Sequence, residues 1–417
     1  MNGNVFQKLN QRISDENGYA GILKVALPLI LSTSSWTLQQ FIDRILLTWY
    51  SADAIAAALP ASMVNWVFMS FFMGTAAYVD TFVAQYYGAE KYHRIGPAVW
   101  QGLYLSALSI LIIPLLYPLT GSFFRLMNHP PAIQQMEADY FRILLFGAPL
   151  LSVTSAVTGF FAGRGKTWTV MWINFAAMLV NILLDYLLIF GNWGFPRMGI
   201  RGAGLGTVLA MGASAVLFLI MMLKPRFNEK YYTLKGWRFE TPLFRRLIRY
   251  GAPSGLQFML EITAFAVFTM LIGNLGDTEL AASSIAFNIN SLAFLPMWGM
   301  SIAVSVLVGQ RLGDNRPADA AQVTWNAFHL ALLFFGILVV GYLFLPGLFL
   351  LPYGWQADSA EFLPVRSVTI VLLRFVAFYS IFDALNMIFS AAIKGAGDTH
   401  FVAGVSVSCS WLLMLLP

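Results

Sequence analysis

Apolar residues run along this chain in eleven long blocks separated by short polar breaks. They cover roughly residues 25–48, 54–86, 98–119, 140–162, 169–190, 202–223, 250–274, 280–311, 325–350, 366–393 and 401–417. A helix needs about 20 mostly apolar residues to cross the ~30 Å hydrocarbon core of a bilayer. Membrane β-strands are about half that length and alternate apolar with polar positions, which these runs do not. Lipid offers the backbone no hydrogen-bond partner, so such segments must satisfy their amides within a helix. The pattern predicts an all-α polytopic membrane protein.

Composition sharpens this picture. The 417 residues are 58% apolar and only 11% charged, against about 25% charged in soluble domains. That balance excludes an ordinary soluble enzyme, a disordered chain and a nucleic-acid binder. The net charge of +5 is explained by where the charges lie. With the polar segment 1–24 placed in the cytoplasm, 18 of the 25 Lys and Arg fall on that side. Four (Arg125, Arg197, Arg201 and Arg366) fall on the other side, and three lie within spans. This positive-inside bias predicts a multi-pass inner-membrane protein with its N-terminus in the cytoplasm, held partly by anionic lipid. The N-terminal segment has no cleavable signal pattern. The single cysteine, Cys409, allows no intrachain disulfide.

The longest polar stretch, 224–249, is read as a cytoplasmic linker between an N-lobe (25–223, six spans) and a C-lobe (250–417, five spans). The two lobes repeat one another. An offset of 225 matches Asn65, Gly74, Gln85 and Gly88 with Asn290, Gly299, Gln310 and Gly313, and Pro28 with Pro253. An offset of 232 matches Gly163-Arg-Gly-Lys-Thr167 with Gly395-Ala-Gly-Asp-Thr399. Both halves enter the membrane from one side, the arrangement of two-lobed transporters with an axis along the membrane normal. A sixth span of the C-lobe is expected beyond Pro417, so the chain is read as lacking its C-terminal end.

A charge at mid-membrane costs at least about 2.5–3.5 kcal/mol, so such residues face a cavity or a partner and mark function. Five acids lie inside spans: Asp43, Asp80, Asp185, Glu261 and Asp383. Asn181 precedes Asp185 by one helical turn and Tyr379 precedes Asp383 by one turn, so each pair shares a face. Glu261 lies mid-span with no charge nearby in sequence. Asp43 adjoins Arg44. Asp80, nearer a span end, is expected to reach water. The four acids other than Asp80 are the candidates for binding a cation or proton. Asp43 and Glu261 do not correspond under the repeat: Glu261 aligns with Trp36 and Asp43 with Phe268, so the lobes share a scaffold and differ in chemistry. The four histidines form no HExxH-type pair, and no phosphate-binding GxxxxGK[ST] loop is present. No enzyme or ATP-driven pump is expected. Met and aromatic side chains lining a cavity suit hydrophobic cations.

The segments NILLDYLLIFGNWGFPRMGIRGAGLGT (181–207), IKGAGDTH (393–400) and AGRGKT (162–167) resemble signatures of the multidrug and toxic compound extrusion (MATE) family. The resemblance runs from about residue 22 to the end. It implies two six-helix lobes around a cleft and Na+- or H+-coupled export of small amphipathic or cationic drugs, by a monomer needing no cofactor besides the coupling ion. Glu261, Tyr379 and Asp383 resemble the C-lobe cation site of the NorM-like branch, with Na+ a possible occupant at Glu261 and Asp383. Asp43, Asn181, Asp185 and Thr207 match the N-lobe polar network. The chain departs from the family in its first span, where Arg44 and Thr48 stand in place of Thr and Gly. A flippase for lipid-linked saccharides, on a related scaffold, is the alternative. Such a cavity should be strongly cationic, and the buried charges here are mainly acidic.

Overall fold

The computed structural model describes residues 16–125, 129–273, 276–354 and 359–414. All of the regular structure in them is helical. The first lobe comprises α1 (Tyr19–Tyr50), α2 (Ala52–Ala77), α3 (Val79–Gly88), α4 (Ile95–Leu108), α5 (Ile112–Leu116), α6 (Thr120–Arg125), α7 (Pro131–Leu145), α8 (Gly147–Ala162), α9 (Thr167–Phe190) and α10 (Ile200–Met222). A short helix α11 (Pro225–Tyr231) lies in the linker. The second lobe comprises α12 (Thr241–Gly273), α13 (Asp277–Gly313), α14 (Pro317–Phe344), α15 (Pro346–Gly354), α16 (Ser359–Ala396) and α17 (Thr399–Met414).

Among the described residues, each of the eleven apolar blocks falls mainly on helix. Eight helical stretches are long and apolar enough on their own to cross a membrane, and α13, bent by 41° between Ser291 and Phe294, makes a ninth. The two others are α12, whose first turns carry Arg245, Arg246 and Arg249, and α17, described over 16 residues. Two boundaries differ from the sequence reading. Helix α1 begins at Tyr19 rather than near 25. The linker ends at 240 rather than 249, because α12 begins at Thr241. Residues 241–249 are polar in composition yet amphipathic: Leu243 and Leu247 are buried while Arg245, Arg246 and Arg249 are exposed. An average over the segment conceals that stripe.

Each lobe packs internally, α1 on α9, α9 on α10 and α2 on α7 and α8 in the first, and α13 and α14 on α16 in the second. The lobes meet through a reciprocal pair of contacts: α12 lies along α2, and α13 lies along α1 and α3. The buried side chains show how the lobes lean. One core, including Ile22, Leu29, Val83, Phe160, Val304 and Leu307, runs through both lobes at the linker end. At the other end each lobe has its own core, one around Leu47, Phe141 and Ile189 and one around Ile289, Tyr342 and Leu373. The lobes are therefore joined at the linker end and separate at the far end, leaving a cleft that opens away from the linker.

The linker belongs to the first lobe. Arg94 holds Glu240 with two hydrogen bonds, 2.9 and 3.3 Å. Trp100 Nε1 donates to the Thr233 carbonyl at 2.7 Å, and Tyr104 Oη donates to that of Trp237. Arg164, only 5% exposed, lies 3.7 Å from the Phe160 ring centroid, 4.6 Å from Tyr231 and 5.0 Å from Phe227. A desolvated cation over aromatic faces contributes about 2 kcal/mol. Arg164→Ala is expected to release α11, lowering the thermal midpoint by several degrees and speeding tryptic cleavage at Lys230 and Lys235. Unchanged cleavage would show that the linker is held by Arg94, Trp100 and Tyr104 without Arg164.

Candidate transport site

The acids predicted to face a cavity lie in both lobes, gathered in the first and divided in the second. In the first lobe, Asp43 of α1 and Asp185 of α9 face each other, with Tyr140 of α7 and Ser62 of α2 beside them. Asn181 and Asp185 are both fully buried. Neither oxygen of Asp185, neither amide atom of Asn181 and not Oδ1 of Asp43 makes an oriented hydrogen bond. Buried polar groups are ordinarily satisfied, so this cluster has unused capacity for a proton, water or small cation. Arg44, next in the chain, is exposed, and its charge still acts on Asp43 and Tyr140. The departure at Arg44 thus sets an exposed cation beside the cluster.

Thr207 lies on α10, beside Gly206. Its hydroxyl donates to the Ala203 carbonyl at 3.0 Å, on its own helix. The residue of α10 that meets the cluster is Gly206, where a β-carbon would run into Asp185 Oδ1. That close approach brings α10 against the carboxylate and explains a glycine there.

In the second lobe, Glu261 of α12 accepts a hydrogen bond from Gln257 Nε2 at 2.9 Å. Lys394, near the end of α16, lies within reach of its charge. The sequence reading found no charge near Glu261; this one lies 133 residues away in the chain and only folding brings it close. Tyr379 Oη receives a hydrogen bond from Asn290 of α13 at 3.3 Å, and Asp383 lies one turn further on, half-buried. On the same helix Phe375, Phe378 and Phe382 are 57–70% exposed, toward lipid. Among the described residues no hydrogen bond joins Glu261 to Asp383, so the structure presents Glu261–Gln257 and Tyr379–Asn290–Asp383 as two groups. Among the described residues no cluster of three or more His, Cys, Asp or Glu converges as a metal site would.

Asp80 is half-buried. Its Oδ1 is buried without a partner, and its backbone packs against Gly159 and Gly163 of the loop end of α8.

A feature the sequence reading missed stands where the lobes meet. Trp36 of α1, Trp66 of α2, Phe258 of α12 and Trp298 of α13 form a closed circuit of ring contacts. The centroid distances are 5.0 Å (Trp36–Trp66), 6.2 Å (Trp66–Phe258), 5.6 Å (Phe258–Trp298) and 6.5 Å (Trp298–Trp36). Two rings come from each lobe, and all four are half-buried. They lie above the shared core, at the floor of the cleft. Phe258 is three residues before Glu261, on the same helical face. The repeat carried one signal of this: Trp36 aligns with Glu261, so both occupy cleft-facing positions.

A bundle of two pseudo-equivalent lobes around a one-sided cleft, floored by aromatic rings and flanked by buried acids, is the architecture of a secondary transporter. The MatE family model matches residues 28–187 and again 253–417, one match per lobe. The chain belongs to the MatE family and is a multi-pass membrane transporter. Solved structures share the fold. An outward-facing multidrug resistance MATE family transporter of the MOP superfamily aligns with a TM-score of 0.85 at 19% identity, over 94% of this chain and 85% of its own. A MATE protein in a bent conformation aligns with a TM-score of 0.83 at 20% identity, over 93% of this chain and 84% of its own. A MOP superfamily transporter from Pyrococcus furiosus, reported with reversed polarity of its binding pocket, aligns with a TM-score of 0.79 at 20% identity, over 95% and 88%.

Proposed function

We propose that this protein is a cation-coupled antiporter of the inner membrane that exports amphipathic, cationic compounds, with the cleft open to the outside in the present state. The observation that carries the reading is the four-ring floor of the cleft with Glu261 one turn above it. Aromatic faces attract cations and apolar surface alike, and a carboxylate beside them supplies the charge that both a drug and a coupling ion seek. The basic linker end is cytoplasmic by the positive-inside rule, so a cleft opening away from it faces outward.

The steps follow from competition. With Glu261 and Asp383 ionised, a cationic drug is held against Trp36, Trp66, Phe258 and Trp298. A proton or Na+ arriving from outside neutralises the acids and weakens that hold, and the drug leaves. The ion-loaded lobes then rock about the shared core, release the ion inward and take up drug again. Coupling requires only that each ligand bind one state better than the other. The Asp43–Asp185–Asn181 cluster offers a second place for the ion in the first lobe. The saccharide-flippase reading finds less support, since the buried charges around the cleft are mostly acids.

The test is transport in proteoliposomes with ethidium as cargo, under a Na+ gradient and a pH gradient applied separately. At least one gradient is expected to drive countertransport. Flux that follows neither overturns antiport. Together with an anionic lipid-linked sugar moving in the same vesicles, it would favour the flippase.

A further inference from the structure

The two repeated motifs noted in the sequence, Gln85/Gln310 and the paired Gly-x-Gly-x-Thr segments, play no part in the site above. In the fold they find each other. Gln85 Nε2, at the linker end of α3, donates to the Gly395 carbonyl at 3.0 Å. Gln310 Nε2, at the same end of α13, donates to the Gly163 carbonyl at 2.8 Å. Each bond runs from one lobe to the other, and the two are exchanged by the repeat. The close approach is reciprocal as well: a β-carbon at Gly88 would strike the Gln310 carbonyl, and one at Gly313 would strike that of Gln85.

The acceptors are suited to this. Gly163 caps the end of α8 and Gly395 lies in the last turn of α16, where helix carbonyls have no partner within the helix. The chain then turns at once through Gly165 (φ +72°) and Gly397 (φ +105°) into α9 and α17, a backbone form that favours glycine. That sharp turn leaves the carbonyls facing the opposite lobe.

We infer that Gln85 and Gln310 are a paired latch that holds the cytoplasmic mouth shut and positions the lobes for outward release. This deepens the antiporter reading and rests on it only for its place in the cycle. Two neutral hydrogen bonds suit a gate that must reopen. When the mouth opens, water replaces them on both amides and both carbonyls, so each contributes only modestly to the closed state. Because the acceptors are backbone atoms, the glutamines are the two side chains through which the latch can be broken.

The experiment uses the full chain in nanodiscs, with Cys409→Ser and spin labels at Lys91→Cys and Asp314→Cys. These exposed positions follow the ends of α3 and α13. Gln85→Met and Gln310→Met keep length and lose the donor. Each is expected to raise the long-distance, mouth-open population about fivefold, and the two together about 25-fold. Unmoved thermal midpoints would show that the fold is intact, and Gln→Ala replaces Met at either position should Met disturb packing. An unchanged distance distribution in the folded double variant overturns the latch. The distances are read separately from the proteoliposome flux, so a shifted distribution with no gradient-driven flux keeps the latch and sinks antiport, whereas flux without a shift does the reverse.

Discussion

Glu261→Gln is expected to lower gradient-driven ethidium export about 100-fold while leaving the protein folded and able to bind ethidium, a loss within the range of ordinary coupling energies. Gln is nearly isosteric, and Gln257 Nε2 keeps an acceptor at the position it now reaches at 2.9 Å. What disappears is the charge that an ion can neutralise. A drug held by aromatic faces alone then binds alike whether or not an ion is present, and a ligand with no differential affinity shifts no equilibrium. Lys394, on α16 and within reach of the Glu261 charge, loses that counter-charge, so binding of cationic drugs should also weaken at low salt. The check is paired: ethidium binding by fluorescence anisotropy with and without ions, and export in everted vesicles. Coupled export at the native rate would remove Glu261 from the mechanism and leave Asp383 or the Asp43–Asp185 pair as the coupling group.

Trp36→Ala combined with Trp298→Ala is expected to act on the other half of the machinery. These rings meet edge to face at 6.5 Å across the lobe boundary, one from each lobe. Truncating them removes two of the four faces on the cleft floor. A desolvated cation–aromatic contact contributes about 2 kcal/mol, or roughly 30-fold in affinity. The KM for ethidium should rise by about that factor while the dependence on the gradient persists, because the carboxylates are untouched. The split distinguishes a binding floor from a purely structural seam: loss of the seam would lower the thermal midpoint and the maximal rate together, with KM unchanged. A neutral apolar cargo should be affected less than a cationic one of the same size.

Much of the membrane architecture was legible in the chain. Eleven apolar blocks, matched Pro28 and Pro253, and the offset glutamines and glycines pointed to a repeated helical bundle, because lipid penalises any other backbone and repetition leaves in-register residues. The acids were legible for the same reason: Asp185, Glu261 and Asp383 stand out where charge is costly. Their company was not. Lys394 within reach of the Glu261 charge, Asp43 opposite Asp185, and the packing of the Asp80 backbone against α8 each depend on helices distant in sequence. Thr207 was picked out by likeness, yet Gly206 is the residue that touches the carboxylate, a distinction made by helix rotation rather than by spacing.

The sequence by itself determined that the protein is helical, crosses the membrane many times, is built twice over and keeps acids where oil would reject them. These follow from local physics, the solvation of backbone and charge, which each segment obeys alone. Only the tertiary structure decided that the lobes close at the linker end and part at the other, that two rings from each lobe make a common floor, and that Gln85 and Gln310 reach across to each other's glycine loops. Those depend on which surfaces meet between segments hundreds of residues apart, and packing between helices leaves no period in the chain to read.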